Sequence, residues 1–504
     1  MMSKGRTNIL FITSDQQHWN TVGFFNPEVR TPVLDRLANE GTVFTRAYCT
    51  NPTCTPSRAS MITGKYPSGH GAWSLGTKLL ESEPVVGDRF SAAGYFTALV
   101  GKAHFQPLKG TKEFPSLEAP PTLHDLDFWR GFHGPFYGFQ HVELARNHTD
   151  EHLVGQHYAI WMEEKGLANW RDFFQPPTGN NSTQKHRWLI PEEFHYNRWI
   201  AERSCALLEE CAGKDEPFLL WSSFFDPHPP YLVPEPWDKM YDPGAVTVPS
   251  ITKGEHDGNP PHFGMTQEEK PDFSPWRESG QWNHGMHSHL VSQTELAGDI
   301  AVYYAMVSLL DKYVGVILKK LKDLKLDGNT LVVFTTDHGH LFGQHGLTAK
   351  GPFHYEDLIK VPLVARLPGT IPAGSRSSAI QSLADIAPTF LRFAGVEAMP
   401  GMDGVDQSAV WSGTAREARD HAVVENRHEP TTINLRTYVS SRFKLTAYYG
   451  REYGELFDLR NDPGEIANLW DSPDHQERKR EILARPCIAK IGEERLPMPR
   501  VAGA

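Results

Sequence analysis

NILFITSD, residues 8 to 15, is a continuous apolar and β-branched run that ends on a carboxylate, and its reading decides the fold. A run without polar alternation fits a strand covered on both faces, as in a parallel sheet between layers of helix. Downstream, TPVLDRLANEG at 31 to 41 offers Thr31 as a predicted N-cap, Pro32 at the first helical position and Gly41 as a stop. The alternation then recurs. PVVGDRFSAAG reads as helix, YFTALVG as strand, PEEFHYNRWIAERSCALLEECAG as helix, PFLLWSSFF as strand, about 295 to 324 as a long amphipathic helix, and TLVVFTT as strand. This predicts an α/β fold with a large, mainly parallel sheet flanked by helices.

The pattern fails at about 105 to 185 and again at about 227 to 290, and structureless stretches of that length in a compact domain are usually functional. Beyond the helix LADIAPTFLRFAG and the connection MPGMDGVDQSAVWSG, the runs HAVVEN, LRTYVSS, RFKLTAYY and ELFDL predict a short antiparallel sheet. The expected division is therefore a large domain over 1–413 and a smaller C-terminal α+β domain over 414–504. A charged helix near 473 to 483 and the tail EERLPMPRVAGA close the chain, the tail being suited to an arm onto a neighbouring subunit of a homo-oligomer.

With 504 residues, 39% hydrophobic and 22% charged, composition is that of a globular protein with material for a large core. The net charge of −11 gives no nucleic-acid footprint, so an anionic substrate has to be met by a local cluster. No leader or apolar run of about 18 residues is read. Five cysteines at sparse spacing fit no disulfide framework, and the expectation is a cytoplasmic protein without a membrane partner.

Asp15 follows the first strand and Asp337-His338 follows TLVVFTT, so all three sit at C-terminal strand ends, where open α/β sheets build their sites. The positions suit a metal; a helix cap for Asp15 and a plain turn for Asp337-His338-Gly339 are the alternatives. Cys54 opens Cys54-Thr55-Pro56-Ser57-Arg58, with Pro56 suited to a first helical turn whose free N–H groups stabilise an anion. A buried packing role is the alternative for this thiol.

At Cys-x-Pro-x-Arg, followed by Ala59-Ser60 and Thr63-Gly64, the chain resembles the sulfatase family of the alkaline phosphatase superfamily. The resemblance continues in the family's order through Thr63-Gly64-Lys65-Tyr66-Pro67, Gly101-Lys102-Ala103-His104, Asp226-Pro227-His228-Pro229-Pro230, Asp337-His338-Gly339 and Gln344-His345-Gly346-Leu347 to Lys350. Glu455-Leu456-Phe457-Asp458-Leu459, Asp462-Pro463-Gly464-Glu465 and Asn468-Leu469 look like its C-terminal signature.

The resemblance implies an alkaline-phosphatase-like fold and conversion of Cys54 to Cα-formylglycine by a formylglycine-generating enzyme. One hydroxyl of the hydrated aldehyde would attack sulfur and the other expel the product, avoiding attack by water on a hindered sulfate. It also implies one divalent metal on Asp15, Gln16, Asp337, His338 and the modified Cys54. Gln16, where relatives carry Asp, and His338, where many carry Asn, resemble the phosphonate monoester hydrolase branch. Ca²⁺ is the family default, and mixed oxygen and nitrogen ligation also suits Mn²⁺. Arg58, Lys102 and Lys350 match positions that meet the nucleophile or sulfate, His104 one that steers the diol, and His228 one that protonates the leaving oxygen.

The implied activity is hydrolysis of an aryl or carbohydrate sulfate ester. The alternative is a phosphonate monoester or phosphodiester hydrolase using the same site, and a third reading is an inactive anion- or glycan-binding protein. DFWRGFHGPFYGFQHVEL and the tract around WNHGMHSHL are rich in rings that would bind a flat leaving group or pack on the sheet. A choline-type cation is also compatible with them. His345 fits a role in shaping the loop ahead of Lys350, and Ser74-Leu75 stand where many relatives place a substrate-facing Asn.

Overall fold

The structure is a computed structural model that describes residues 6–146, 153–174, 186–277, 285–428 and 431–502. Its large sheet contains β1 (Asn8–Ser14), β2 (Thr42–Phe44), β3 (Phe96–Gly101), β4 (His141–Leu144), β5 (Phe218–Ser223), β6 (Thr330–Thr336), β7 (Leu363–Arg366) and β8 (Ser375–Ser377). Their spatial order is β8-β2-β7-β6-β1-β5-β3-β4, and only β7 runs antiparallel to its neighbours. The mixed, mainly parallel sheet is as the sequence predicts.

β1 lies between β5 and β6 and is buried on both faces, which is why its apolar run is continuous. Ile9 and Phe11 point into one core with Met61 and Ile62 of α2 (Cys54–Thr63). That core also takes Ile386 and Phe390 of a later helix (Ile386–Ala394). Leu10 and Ile12 point to the opposite core, against Leu34 and Leu37 of α1 (Pro32–Glu40). Trp199 and Leu208 of α3 (Tyr196–Ala212) and Leu309 and Ile317 of α4 (Gln293–Asp323) complete it. α4 is long and apolar enough to match a bilayer, but most of its apolar window is buried inside the protein, with Val316 the exposed large apolar side chain of the helix.

Two local expectations are corrected. Thr31 does not cap α1 with its side chain: its hydroxyl donates to Asp35 (3.1 Å) and accepts from Gly23 N (2.6 Å). The orphan amides of Val33 and Leu34 are instead met by the Asp311 carboxylate of α4, at 3.0 and 2.8 Å. The helix expected over 191–213 is broken near its start, with a 3₁₀ turn at Glu192–Phe194 preceding α3.

The second sheet is antiparallel throughout: β9 (His421–Arg427), β10 (Asn434–Ser440), β11 (Phe443–Tyr448) and β12 (Gly454–Asp458). Ala422, Val424, Val439 and Phe457 join the core beneath α2, while Tyr438, Leu445 and Leu456 pack with Trp470 and Ile482 on the other face. The described part of the tail is bonded to its own chain. Arg495 N bonds Ser68 O (3.1 Å), Val501 N bonds Gly76 O (2.9 Å), and Arg495 pairs with Glu83 (2.7 Å). The guanidinium groups of Arg427 and Arg500 both approach the Trp73 ring, at 5.3 and 5.1 Å. All five cysteines are free thiols.

Candidate active site

The C-terminal ends of β1, β6 and β3 converge with the first turn of α2. Beyond the end of the β1–β5 pairing Asp15 N–H donates to Asp226 O (3.1 Å), and the chain then turns at Gln16 with φ 56°. That turn aims Gln16 N–H at Asp337 Oδ1 (2.9 Å), which also accepts from His338 N–H (2.9 Å). Two strand ends are thus tied through one carboxylate.

Cys54 is the first residue of α2, and every residue of that helix is buried. The preceding loop is held by Asn51, whose Oδ1 accepts from Thr53 N (2.8 Å) and whose Nδ2 donates to Glu425 O of β9 (2.6 Å). Gly64 ends the helix at φ 67°, where a Cβ would come within 2.7 Å of the Met402 sulfur.

Around Cys54 Sγ stand His338 Nε2 at 3.3 Å, Asp15 Oδ1 at 3.5 Å, and the Lys102 and Lys350 ammonium groups each at 3.7 Å. Burial pushes the thiol up to about 11, with Asp15 adding to the shift and the two lysines opposing it. At neutral pH the group is therefore a protonated, weakly bonding sulfur among four strongly polar atoms. The surroundings suit oxygens at this position, the chemistry a hydrated aldehyde would present.

Arg58, one turn along α2, donates through Nε to Asp337 Oδ2 (2.9 Å) and through Nη1 to Lys102 O (2.9 Å) and Ser223 Oγ (2.8 Å). Its Nη2 is buried without a hydrogen-bond partner among the described residues, 4.0 Å from Asp15 Oδ1. Lys102 forms a buried ion pair with Asp15. Despite burial, the Arg58 guanidinium, helped by Lys102 and the Gln16 N–H, holds Asp337 far below the usual carboxylate range, whereas burial and the Asp337 charge push Asp15 up. Two carboxylates this close divide in that way until a cation compensates both.

Ligand atoms of Asp15, Cys54, Asp337 and His338 lie within 4.8 Å of one another. Burial pushes His338 down to about 3, so its ring is neutral; Nδ1 donates to Gly339 O (2.9 Å), leaving the Nε2 lone pair toward Cys54. Gln16 Oε1 is buried and has no hydrogen-bond partner among the described residues, an oxygen with lone pairs to spare. Two carboxylates, an orphaned amide oxygen and an imidazole nitrogen form a donor set that fits a divalent cation.

His104 and His228 are held by other groups. His104 Nε2 meets Arg146 Nη2 at 2.5 Å, and Glu118 accepts the main-chain N–H groups of His104, Phe105 and Gln106 at 2.7 to 2.9 Å. Half-buried His228 engages Pro229 O through Nδ1 (2.6 Å). His345 pairs with Glu255, stacks on Tyr355 at 3.5 Å and lies 3.7 Å from Asp357, thereby bracing the hairpin that carries Lys350.

Arg146, Glu118, Ser223 and His340 belong to this surround and were not singled out from sequence. Arg146 had a usable signal, since it follows the strand HVEL at the same edge of the sheet as Asp15 and Asp337. Of the aromatic tract at 127 to 144, Trp129, Phe136, Tyr137 and Phe139 are core residues, with Trp221 and Phe105 among their partners. These four are packing residues, while Phe128, Phe132 and His133 of the same tract keep exposed surface. In the second tract Met286 and His289 are likewise buried, and Trp282, Asn283 and His284 lie outside the described residues.

Residues 7–396 match the family model described as Sulfatase, and residues 343–487 match one described as N-sulphoglucosamine sulphohydrolase, C-terminal. The uncharacterized sulfatase YidJ of Escherichia coli is 29% identical over 92% of this chain and 83% of its own length. An arylsulfatase of Clostridium perfringens is 26% identical over 94% and 92%. The crystal structure of a phosphonate monoester hydrolase of Agrobacterium radiobacter superposes with a TM-score of 0.77 at 24% identity, covering 95% of this chain and 94% of that one. The fold is alkaline-phosphatase-like.

Proposed function

The chain belongs to the sulfatase family of sulfuric ester hydrolases, and from that premise we propose that it cleaves aryl or carbohydrate sulfate esters with Cys54 matured to formylglycine and one divalent cation. The observation that carries this reading is the ring of Asp15, His338, Lys102 and Lys350 around Cys54 Sγ at the head of α2. The hydrated aldehyde would supply two geminal hydroxyls, one as nucleophile and one whose collapse releases sulfate. The cation, held by Asp15, Gln16, Asp337, His338 and the modified Cys54, would polarise a sulfate oxygen and favour the ionised nucleophile.

The other parts are the chain's own. Lys102 and Lys350 each stand 3.7 Å from the nucleophile position, where charge on nonbridging oxygens grows as sulfur is attacked. Arg58 Nη2 is a buried donor with bonding capacity to spare, and Asp337 holds its guanidinium in place. His104, fixed by Arg146, steers the diol, and His228 protonates the leaving oxygen.

Gln16 and His338 favour a second reading, hydrolysis of phosphonate monoesters or phosphodiesters. A neutral amide in place of a carboxylate leaves the cation less neutralised, and a phosphodiester carries the same single charge about a tetrahedral centre as a sulfate monoester. Peptide mass spectrometry over Cys54, followed by kcat/KM for an aryl sulfate, a sugar sulfate and a phenyl phosphonate ester with Ca²⁺ or Mn²⁺, tests both. Full activity with an unmodified thiol overturns the mechanism. A large preference for the phosphonate ester reverses the order of the two readings.

A further inference from the structure

Gln16 is pinned at every polar atom but one. Its N–H donates to Asp337 Oδ1 (2.9 Å), its carbonyl accepts from Tyr303 Oη (2.7 Å), and its Nε2 lies 2.6 Å from His340 Nδ1. Among the described residues only Oε1, which is buried, has no hydrogen-bond partner, and the main chain of the same residue is bonded to the Asp337 carboxylate. The two ends of an amide have nearly the same shape, so what sends oxygen rather than NH₂ toward the cation position is the group bonded to the other end.

That group is His340, fully buried, stacked on Tyr303 (5.6 Å, 11°) and edge-on to Phe342 (4.4 Å). Its Nε2 lies 2.5 Å from Tyr231 Oη. A neutral imidazole carries one proton, so the chain Gln16–His340–Tyr231 has two polarities. In one, Gln16 NH₂ donates to Nδ1 and Nε2–H donates to Tyr231, with Oε1 left for a cation. In the other, Nδ1–H donates to the amide oxygen, Tyr231 donates to Nε2, and the NH₂ is turned on Asp15 and Asp337, where it satisfies the carboxylates and opposes a cation.

We propose that His340, backed by Tyr231, is the positioning residue that holds Gln16 in the oxygen-inward orientation and so sets the affinity of the cluster for its divalent cation. The inference rests on the reading above that this cluster binds such an ion. It extends that reading to two residues outside the ligand set. Outer partners that orient a metal ligand are commonly worth 10- to 100-fold in affinity.

The decisive feature is that an amide has unlike ends and a carboxylate does not. In a Gln16→Glu background either oxygen can face the cation, so orientation by His340 loses its value. The experiment measures Mn²⁺ affinity by isothermal titration on the chelator-washed full chain, a readout independent of turnover. His340→Phe, which keeps the stacked ring, is compared in the wild-type and Gln16→Glu backgrounds. The expected result is a loss of about 10- to 100-fold in the first and less than about threefold in the second. Tyr231→Phe, which removes a single hydroxyl, should show a smaller loss with the same dependence on background. Equal losses in both backgrounds, or none in either, overturn the positioning role and leave the cation reading standing. Failure of the wild-type chain to bind either Mn²⁺ or Ca²⁺ at this cluster overturns both.

Discussion

Replacing Lys102 with Met removes one partner of a fully buried ion pair and leaves its shape nearly filled. Asp15 keeps its place at 0% exposure, next to the Asp337 charge, with the Arg58 guanidinium at 4.0 Å and the weak thiol donor of Cys54 to offset it. Breaking one side of such a pair costs about 3–5 kcal/mol. An unfolding entropy of about 2.1 cal/mol/K per residue gives roughly 1 kcal/mol/K for a chain of this length, so the melting temperature should fall by about 3–5 °C in chelator. A divalent cation in the cluster restores a counter-charge to Asp15, and in excess Mn²⁺ the deficit should shrink to roughly 1–2 °C. The pH dependence has a definite sign. Burial and Asp337 raise Asp15 in the folded state, so its ionised form is the disfavoured one, and the penalty without Lys102 grows as pH rises and fades as Asp15 protonates. Paired melting scans of wild type and Lys102→Met, with EDTA and with Mn²⁺, read all of this. A deficit of the same size in both conditions would refute the placement of a cation against Asp15.

Cys54→Ala, produced beside a formylglycine-generating enzyme, should lose on the order of 10³-fold or more in kcat/KM toward an aryl sulfate, because it would remove the proposed nucleophile and metal ligand together; a loss under tenfold would exclude Cys54 as nucleophile. In chain made without that enzyme, alkylation of the native thiol should rise about tenfold per pH unit toward pH 11, since burial raises its pKa to about 11. A plateau near pH 8, followed by peptide mapping, would mean that Lys102 and Lys350 dominate instead. Arg146→Met removes a charged hydrogen bond to His104, worth about 1.5–3 kcal/mol, so kcat should drop roughly 10- to 100-fold with KM little changed. A change confined to KM would make Arg146 a substrate contact instead.

What could be read in advance follows from how local each signal is. The run at 8 to 14 and the carboxylate after it are contiguous, so a strand and a polar group at its end could be placed from adjacent residues. Lys350 and His228 carry no such local mark and came only from motif resemblance. The Asp311 cap on α1 joins residues 277 and 278 positions apart, which no local pattern records, and Thr31 looked the natural cap in its absence. The aromatic tract near 127 to 144 shows the limit of composition: a tryptophan in a core and a tryptophan on a binding wall are the same letter, and only burial separates them. His340 escaped notice because it acts through Gln16, and its partner Tyr231 lies 109 residues away.

The ring around Cys54 is assembled from distant parts of the chain, and that sets a clock. Cys54 meets His338 across 284 residues and Lys350 across 296. A ribosome adding about 5–20 residues per second needs roughly 15–60 s to supply that intervening length. Throughout that interval β1 lacks β6, one of its two neighbours in the finished sheet, and Cys54 lacks the walls that leave it 1% exposed. An enzyme that oxidises this thiol would have its access during synthesis, and the closing of the sheet over Asp337 would end it. Slower translation of the segment between 54 and 338 should therefore raise the modified fraction, and any variant that hastens burial of α2 should lower it.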